Sequence, residues 1–187
     1  MRVDGLGRAR RIVVYGVTGS GKSTLAAQIA EATGIPGHAV DDLTWRRGWT
    51  EVPLEEQRAI ISEICAEPEW VLDAAYGKWL DIPLSHDPVI VALDYPRWLS
   101  WQRVVRRTFS RLIHRTPICN GNYETLGRAL SPRDSIIAWH HTSFASKRER
   151  IRTWAADPMG PAVLVLRSPR AAREFLARLS SPSGSRR

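Results

Sequence analysis

The chain has 187 residues, 43% of them hydrophobic, and a formal net charge of +8, enough for one domain with a proper core. No apolar run approaches the ~20 residues of a membrane-spanning helix, so an integral helical membrane protein is excluded and no membrane partner is expected. Two cysteines, Cys65 and Cys119, without CxxC spacing exclude a disulfide framework or a structural zinc site and make a reducing cytoplasm the simplest compartment.

In chain order, the basic start (Arg2, Arg8, Arg10, Arg11) leads into "IVVYGVTG", too short and too glycine-broken for a signal-peptide core. Residues 10–17, "RRIVVYGV", form a β-branched run ending in glycines, the pattern of a buried parallel strand. A helix follows, with Leu25, Ile29 and Ala32 on one face and a stop at Gly34. A second short strand is expected at 38–42, "HAVDD", and an amphipathic helix at 54–67 with Ile60, Ile61 and Ile64 on its apolar side. Strands are expected again at 70–76 and 89–95, and a long helix from about 97 to 113. Glycine, asparagine and proline then break the pattern, which makes 114–133 the expected mobile insert. One long helix over 134–156, a fifth strand at 162–168 and a last helix complete the chain. Five short apolar strands separated by helices imply a parallel sheet covered on both faces. The expected organisation is one α/β domain over 1–179, with a helical lid region at about 103–150 and a disordered tail at 180–187.

Gly16-Val17-Thr18-Gly19-Ser20-Gly21-Lys22-Ser23 satisfies GxxxxGK[ST] between a strand and a helix, the context in which that pattern makes a phosphate cradle. Loop N–H groups point at phosphate oxygens and the helix N-terminus adds its positive dipole. Gly16, Thr18, Gly19, Ser20, Gly21, Lys22, Ser23 and Thr24 are therefore the expected nucleotide-binding residues. Lys22 is expected to bridge the β- and γ-phosphates, and the Ser23 hydroxyl to ligate Mg²⁺. No NKxD motif is present to read guanine and no LSGGQ-like signature to mark a transporter ATPase. The small size and strand count suit a small-molecule or nucleoside monophosphate kinase, with ATP and Mg²⁺ as cofactors.

Ligands of open parallel sheets sit beyond the carboxyl ends of the strands. Asp41, Asp42, Asp73 and Asp94 fall there. Asp73 is the first choice as Mg²⁺ carboxylate, and Asp41 as the group that orients the acceptor or takes its hydroxyl proton. Residues 97–115 hold six arginines and no acid. Arg103, Arg107, Arg111 and Arg115, spaced by four, form a stripe that can surround a transferring phosphoryl group; Arg103 and Arg107 are the catalytic candidates. Trp98, Trp101, Val105 and Leu112 occupy another face, expected to pack on the protein body. Lys147, Arg148, Arg150 and Arg152 are candidates for the returning side of a lid. Trp45, Trp49, Trp70 and Trp79 gather around the expected acceptor region, while His140 and His141 lack partners at metal spacing.

The phosphate loop, "DDLTWRRGW", "EWVLDAAY", "VIVALDYPRW", "RVVRRT", "NGNYET" and "SPRDSIIAW" together resemble the adenylate-kinase-like P-loop proteins often labelled DNA topology modulation proteins. The resemblance runs from residue 12 to 176 and implies a nucleoside-monophosphate-kinase-like fold. It also implies that the Asp41 and Asp73 stretches face the phosphates and that Arg103 and Arg107 take lid positions. That family usually reads "DGNY" where this chain has Asp73-Ala74-Ala75-Tyr76. The "DGFPR" arginine of true adenylate kinases has no counterpart at Ala75 to Lys78, apart from Lys78 as a loose substitute, so AMP is not the expected acceptor. The leading expectation is an ATP- and Mg²⁺-dependent phosphotransferase acting on a small molecule. Two alternatives stay open: a nucleotide-gated protein whose arginines contact nucleic acid, and an ATPase with basal hydrolysis only.

Overall fold

A computed structural model describes residues 9–74, 76–131 and 135–180. In chain order the elements are β1 (Arg11–Gly16), α1 (Lys22–Thr33), β2 (Gly37–His38), α2 (Val40–Thr44), β3 (Trp45–Arg46), β4 (Thr50–Glu51) and α3 (Leu54–Ala66). They continue as β5 (Trp70–Leu72), α4 (Asp81–Leu84), β6 (Val89–Leu93), α5 (Arg97–His114), α6 (Leu126–Leu130), α7 (Ile136–Ala156), β7 (Val163–Leu166) and α8 (Pro169–Ser180). Arg2, Arg8, Ala75, Asp134 and the expected tail beyond Ser180 lie outside the described residues.

Five strands form one parallel sheet in the order β2-β5-β1-β6-β7, with β1 in the centre between β5 and β6. Side chains alternate across a strand, and here both sets are apolar. Ile12, Val14, Val71, Val91 and Leu93 meet Leu25 and Ile29 of α1 and Phe175 of α8 on one face. Val13, Tyr15, Trp70, Leu72, Ile90 and Ala92 meet Ile61 of α3 and Ile151 of α7 on the other. This is why the strands read as continuous hydrophobic runs. Among the described residues no helix is long and apolar enough to cross a membrane.

Several elements differ from the sequence expectation. The run at 38–42 is strand only to His38, and Val40–Thr44 is a short helix instead. There the Asp73 carboxylate accepts from the Val40 N–H at 2.8 Å, so a long-range bond ends the strand. The strand expected over 70–76 ends at Leu72. A two-stranded antiparallel hairpin, β3–β4, is additional. The glycine-, asparagine- and proline-broken insert contains α6 and a small bridge between Ile118 and Asn122.

That insert is fastened to the hairpin. Asn122 is buried and donates to the carbonyls of Arg46 (2.9 Å) and Cys119 (2.6 Å) while accepting from the Trp49 N–H (2.9 Å). Asn120 donates to the carbonyls of Asp42 and Trp45 at 2.6 and 2.8 Å. Trp49 Nε1 donates to the Tyr123 carbonyl, and the Arg128 guanidinium lies 4.4 Å from the Trp49 ring centroid. The local bond energies are about 1 kcal/mol each. Asn122→Ala is therefore expected to speed hydrogen exchange at the Trp49 and Ile118 amides several-fold while lowering global stability by only about 1–3 kcal/mol; exchange mass spectrometry with a urea melt checks both.

Candidate functional site

β1 runs into the loop at Gly16, the loop turns over Val17–Gly21, and α1 begins at Lys22. Gly19 and Gly21 have φ of 79° and 93°, the left-handed region that glycine enters without steric cost. At Gly19 space is a second constraint: a Cβ would stand 2.4 Å from the Ser100 carbonyl oxygen and 2.5 Å from Val104 Cγ2. The loop thus passes directly beneath α5. Thr18 and Ser20 are buried, and the Ser20 hydroxyl has no hydrogen-bond partner. Lys22 is half-buried, while Ser23 and Thr24 are exposed at the opening of α1.

Asp73 follows β5 directly and is 3% exposed. Burial pushes its carboxyl pKa up, whereas the Lys22 ammonium, a hydrogen bond from Ser23 and the Val40 N–H pull it down. Lys22, Ser23 and Asp73 therefore converge at the carboxyl end of the central strands. Among the described residues no group of three or more His, Cys, Asp or Glu could hold a metal ion. One hydroxyl beside one carboxylate nevertheless fits Mg²⁺, which is commonly bound by one or two carboxylates, with phosphate oxygens and waters completing an octahedron. Across the site, the Tyr76 hydroxyl donates to Asp41 Oδ1 at 2.9 Å and accepts from Trp45 Nε1 at 3.2 Å. This chain holds the Asp41 carboxylate at the start of α2.

The arginine stripe divides. Arg103 donates to the Ser20 carbonyl at 3.2 Å, with its guanidinium 5.7 Å from the Tyr95 ring centroid. Arg107 is half-buried, and its Nε has no hydrogen-bond partner among the described residues. Burial and the neighbouring Arg111 lower the Arg107 pKa, while Asp41 and Glu124 counter them. From α7, Lys147 is buried to 6% exposure. Burial pushes its pKa down to about 8, with Lys22 and Arg150 adding to the fall and Asp41 opposing it. Its ammonium lies 5.9 Å from the Trp139 ring centroid.

Other expected residues lie elsewhere. Asp94 is paired with Arg148 at 2.8 Å and ties β6 to α7. Lys78, the loose substitute for a phosphate clamp, is paired with Glu51 at 2.8 Å. Arg152 stands 3.8 Å from Glu149. Trp70 and Trp79 are fully buried core, and only Trp45 and Trp49 border the site, edge to face at 5.7 Å. Buried His140 meets the Ser100 hydroxyl at 2.8 Å, and Arg97 reaches His141. Burial raises both thiol pKa values, Cys65 and Cys119, to about 11. Trp98 and Trp101 do not pack on the body, being 66% and 46% exposed; Ser100, Val104 and Thr108 do. Tyr76 and the Asn120–Asn122 pair are the residues that sequence reasoning left without a role. "DAAY" and "NGNYET" mark them, but no local pattern specifies their distant partners.

Lys147 provides a pH test. Its folded pKa lies below its unfolded value of about 10.5, so the unfolded chain holds more protons between pH 8 and 10.5 and stability rises across that window. Lys147→Met is expected to be more stable than the wild type below pH 8, by on the order of 1–3 kcal/mol, and to flatten this rise. A bound polyanion raises the ammonium pKa again. ATP binding near pH 8 is accordingly expected to take up a fraction of a proton, and Lys147→Met to lose that uptake; calorimetry in buffers of different ionisation enthalpy measures it.

No protein-family model matches the chain. A 107-residue stretch is 35% identical to an adenylate kinase from Xylella fastidiosa (strain 9a5c), covering 56% of each chain; the chain thus spans about half the length of this curated relative. A shikimate kinase from Acinetobacter baumannii, in complex with shikimate, superposes with a TM-score of 0.56 at 13% identity over 95% of this chain and 94% of its own. A gluconokinase from Sinorhizobium meliloti 1021 superposes with a TM-score of 0.52 at 21% identity over 92% and 95%. At these identities the likeness establishes the fold alone: a five-stranded parallel sheet flanked by helices.

Proposed function

We propose that the protein is an ATP- and Mg²⁺-dependent phosphotransferase of the cytoplasm acting on a small acceptor. The observation that carries this reading is the convergence of Lys22, Ser23 and Asp73 under the loop, with Asp41, Arg107 and Lys147 facing them. The loop amides and Lys22 hold the triphosphate, and Ser23 and Asp73 hold Mg²⁺. When bound, the metal neutralises charge on the phosphates. Asp41, steadied by Tyr76, orients the acceptor hydroxyl and takes its proton. Arg103 and Arg107, joined by Lys147, place positive charge where the transferring group develops negative charge. Arg103, Arg107 and Lys147 belong to the proposed lid segment at about 103–150 and already face the loop from α5 and α7.

The inward placement of Arg103 and Arg107 supports transfer over the alternative in which the stripe grips a nucleic-acid backbone. The resemblance to DNA topology modulation proteins fits the same fold and names no reaction. The adenylate kinase relative and the kinase neighbours support phosphotransfer at the general level.

A screen of ATP consumption across nucleoside monophosphates, sugars and hydroxy acids tests the reading; at least one acceptor is expected to raise turnover well above basal hydrolysis. Lys22→Ala should lower that turnover by about 100-fold or more. Asp41→Asn should remove the acceptor stimulation and leave basal hydrolysis in place. ATP turnover unchanged by Lys22→Ala would eliminate the enzyme assignment.

A further inference from the structure

α5 is turned inside out. Its fully buried positions, Ser100, Val104 and Thr108, hold nothing larger than valine, with Leu99 half-buried against the core. Its exposed face carries Trp98 (66% exposed), Trp101 (46%), Phe109 (56%) and Ile113 (74%). With half-buried Val105 between them, these positions step by 3, 4, 4 and 4, the spacing of one continuous helix face. The stripe is about 22 Å long at 1.5 Å per residue. Single exposed apolar residues are ordinary, but four large ones in a row on one helix are not. The same helix has no acidic residue, and Arg106 is exposed beside the stripe, whereas Arg97 turns to His141 of α7.

We propose that the outer face of α5 is a docking surface for an anionic lipid bilayer, so that the protein attaches peripherally with its nucleotide site on the opposite side of that helix. A cationic amphipathic helix with Trp and Phe on its apolar side lies in the headgroup boundary, where buried apolar area and attraction to anionic lipid act together. Tryptophan suits that boundary because its ring is apolar and its N–H is polar. A second copy of the chain fits less well. Two such faces packed about a two-fold axis near the middle of the stripe would bring Arg106 close to its equivalent with no carboxylate on either helix. Single-stranded nucleic acid fits less well too, because it needs ring faces in series and Ile113 offers none. Attachment of this kind is distinct from spanning and is independent of the phosphotransfer reading.

Co-sedimentation of the full chain with vesicles of phosphatidylcholine, with and without about one third phosphatidylserine, tests this. Binding is expected only to the anionic vesicles, weakening as salt is raised. Trp101→Ser with Phe109→Ser should reduce it at least tenfold, and Arg106→Gln should reduce it at low salt. ATP affinity, measured on the same variants, is expected to be unchanged and shows that they are folded. No binding of the wild type to anionic vesicles at about 0.1 M salt overturns the proposal, as does binding that the variants leave intact. A concentration-dependent dimer, or binding to single-stranded oligonucleotides, that the variants abolish while vesicle binding is absent reassigns the face to that partner.

Discussion

The closest constraint in the molecule is the passage of Gly19 beneath α5. A Cβ there would stand 2.4 Å from a backbone oxygen of Ser100, well inside any tolerable contact, and backbone cannot rotate away as a side chain can. The phosphate loop and α5 must therefore meet through a glycine on one side and small residues on the other. This explains why the buried face of α5 is Ser100, Val104 and Thr108 and not the leucines and isoleucines of an ordinary amphipathic helix. It also fixes the direction of the helix's remaining faces. With the small face on the loop, Arg103 is brought to the Ser20 carbonyl and Arg107 toward Asp41, and the large aromatics are left outside.

The electrostatics of the site follow from the same arrangement. Lys22, Arg103, Arg107 and Lys147 are gathered around two carboxylates, Asp41 and Asp73, and cations outnumber anions. The depressed pKa values of Arg107 and Lys147 and the raised one of Asp73 are consequences of burial with incomplete compensation. Groups in that state destabilise the empty protein and gain most when a polyanion arrives. Lys147 shows the trade-off most directly, because it is among the most buried charged groups and faces Lys22. Such costs fit the proposed triphosphate site, whereas a purely structural cluster would be expected to balance its charges, as the Arg148–Asp94 pair does.

Much of the fold was legible because the sheet is buried on both faces: "RRIVVYGV" and "VIVALDY" read as strands from composition alone, and the glycine pattern marked the turn from β1 into α1. The errors have physical reasons. "HAVDD" reads as a short strand, but the bond from Val40 N–H to Asp73, 33 residues away, goes with a helix there instead. The apolar stripe on α5 has the correct period, and periodicity cannot say which face turns inward when the partner is a glycine loop. Asn120 and Asn122 look like turn residues in "NGNY"; their work is to satisfy carbonyls of a hairpin more than 70 residues distant, which no local pattern encodes. Asp41 and Asp73 are candidates because strand ends in parallel sheets are where ligands sit, a topological rule that needs no contact information.

The two sides of the cleft differ in how firmly their cations are held. Around the acceptor region, Arg46 is paired with Glu56, Arg58 with Asp81 and Lys78 with Glu51, all at the surface. Exposed pairs of this kind contribute little because water screens them, so they orient side chains without committing them. Arg107 is half-buried with an unpartnered Nε, and a charge-assisted hydrogen bond there is worth roughly 1.5–3 kcal/mol. The strongest gain from an incoming anion therefore lies on the α5 and α7 side, above the phosphate loop. On the acceptor side, the most specific feature is the Trp45–Tyr76–Asp41 hydrogen-bond chain. Charge and directional hydrogen bonding are thus separated across the cleft, the division that the proposed donor and acceptor roles require.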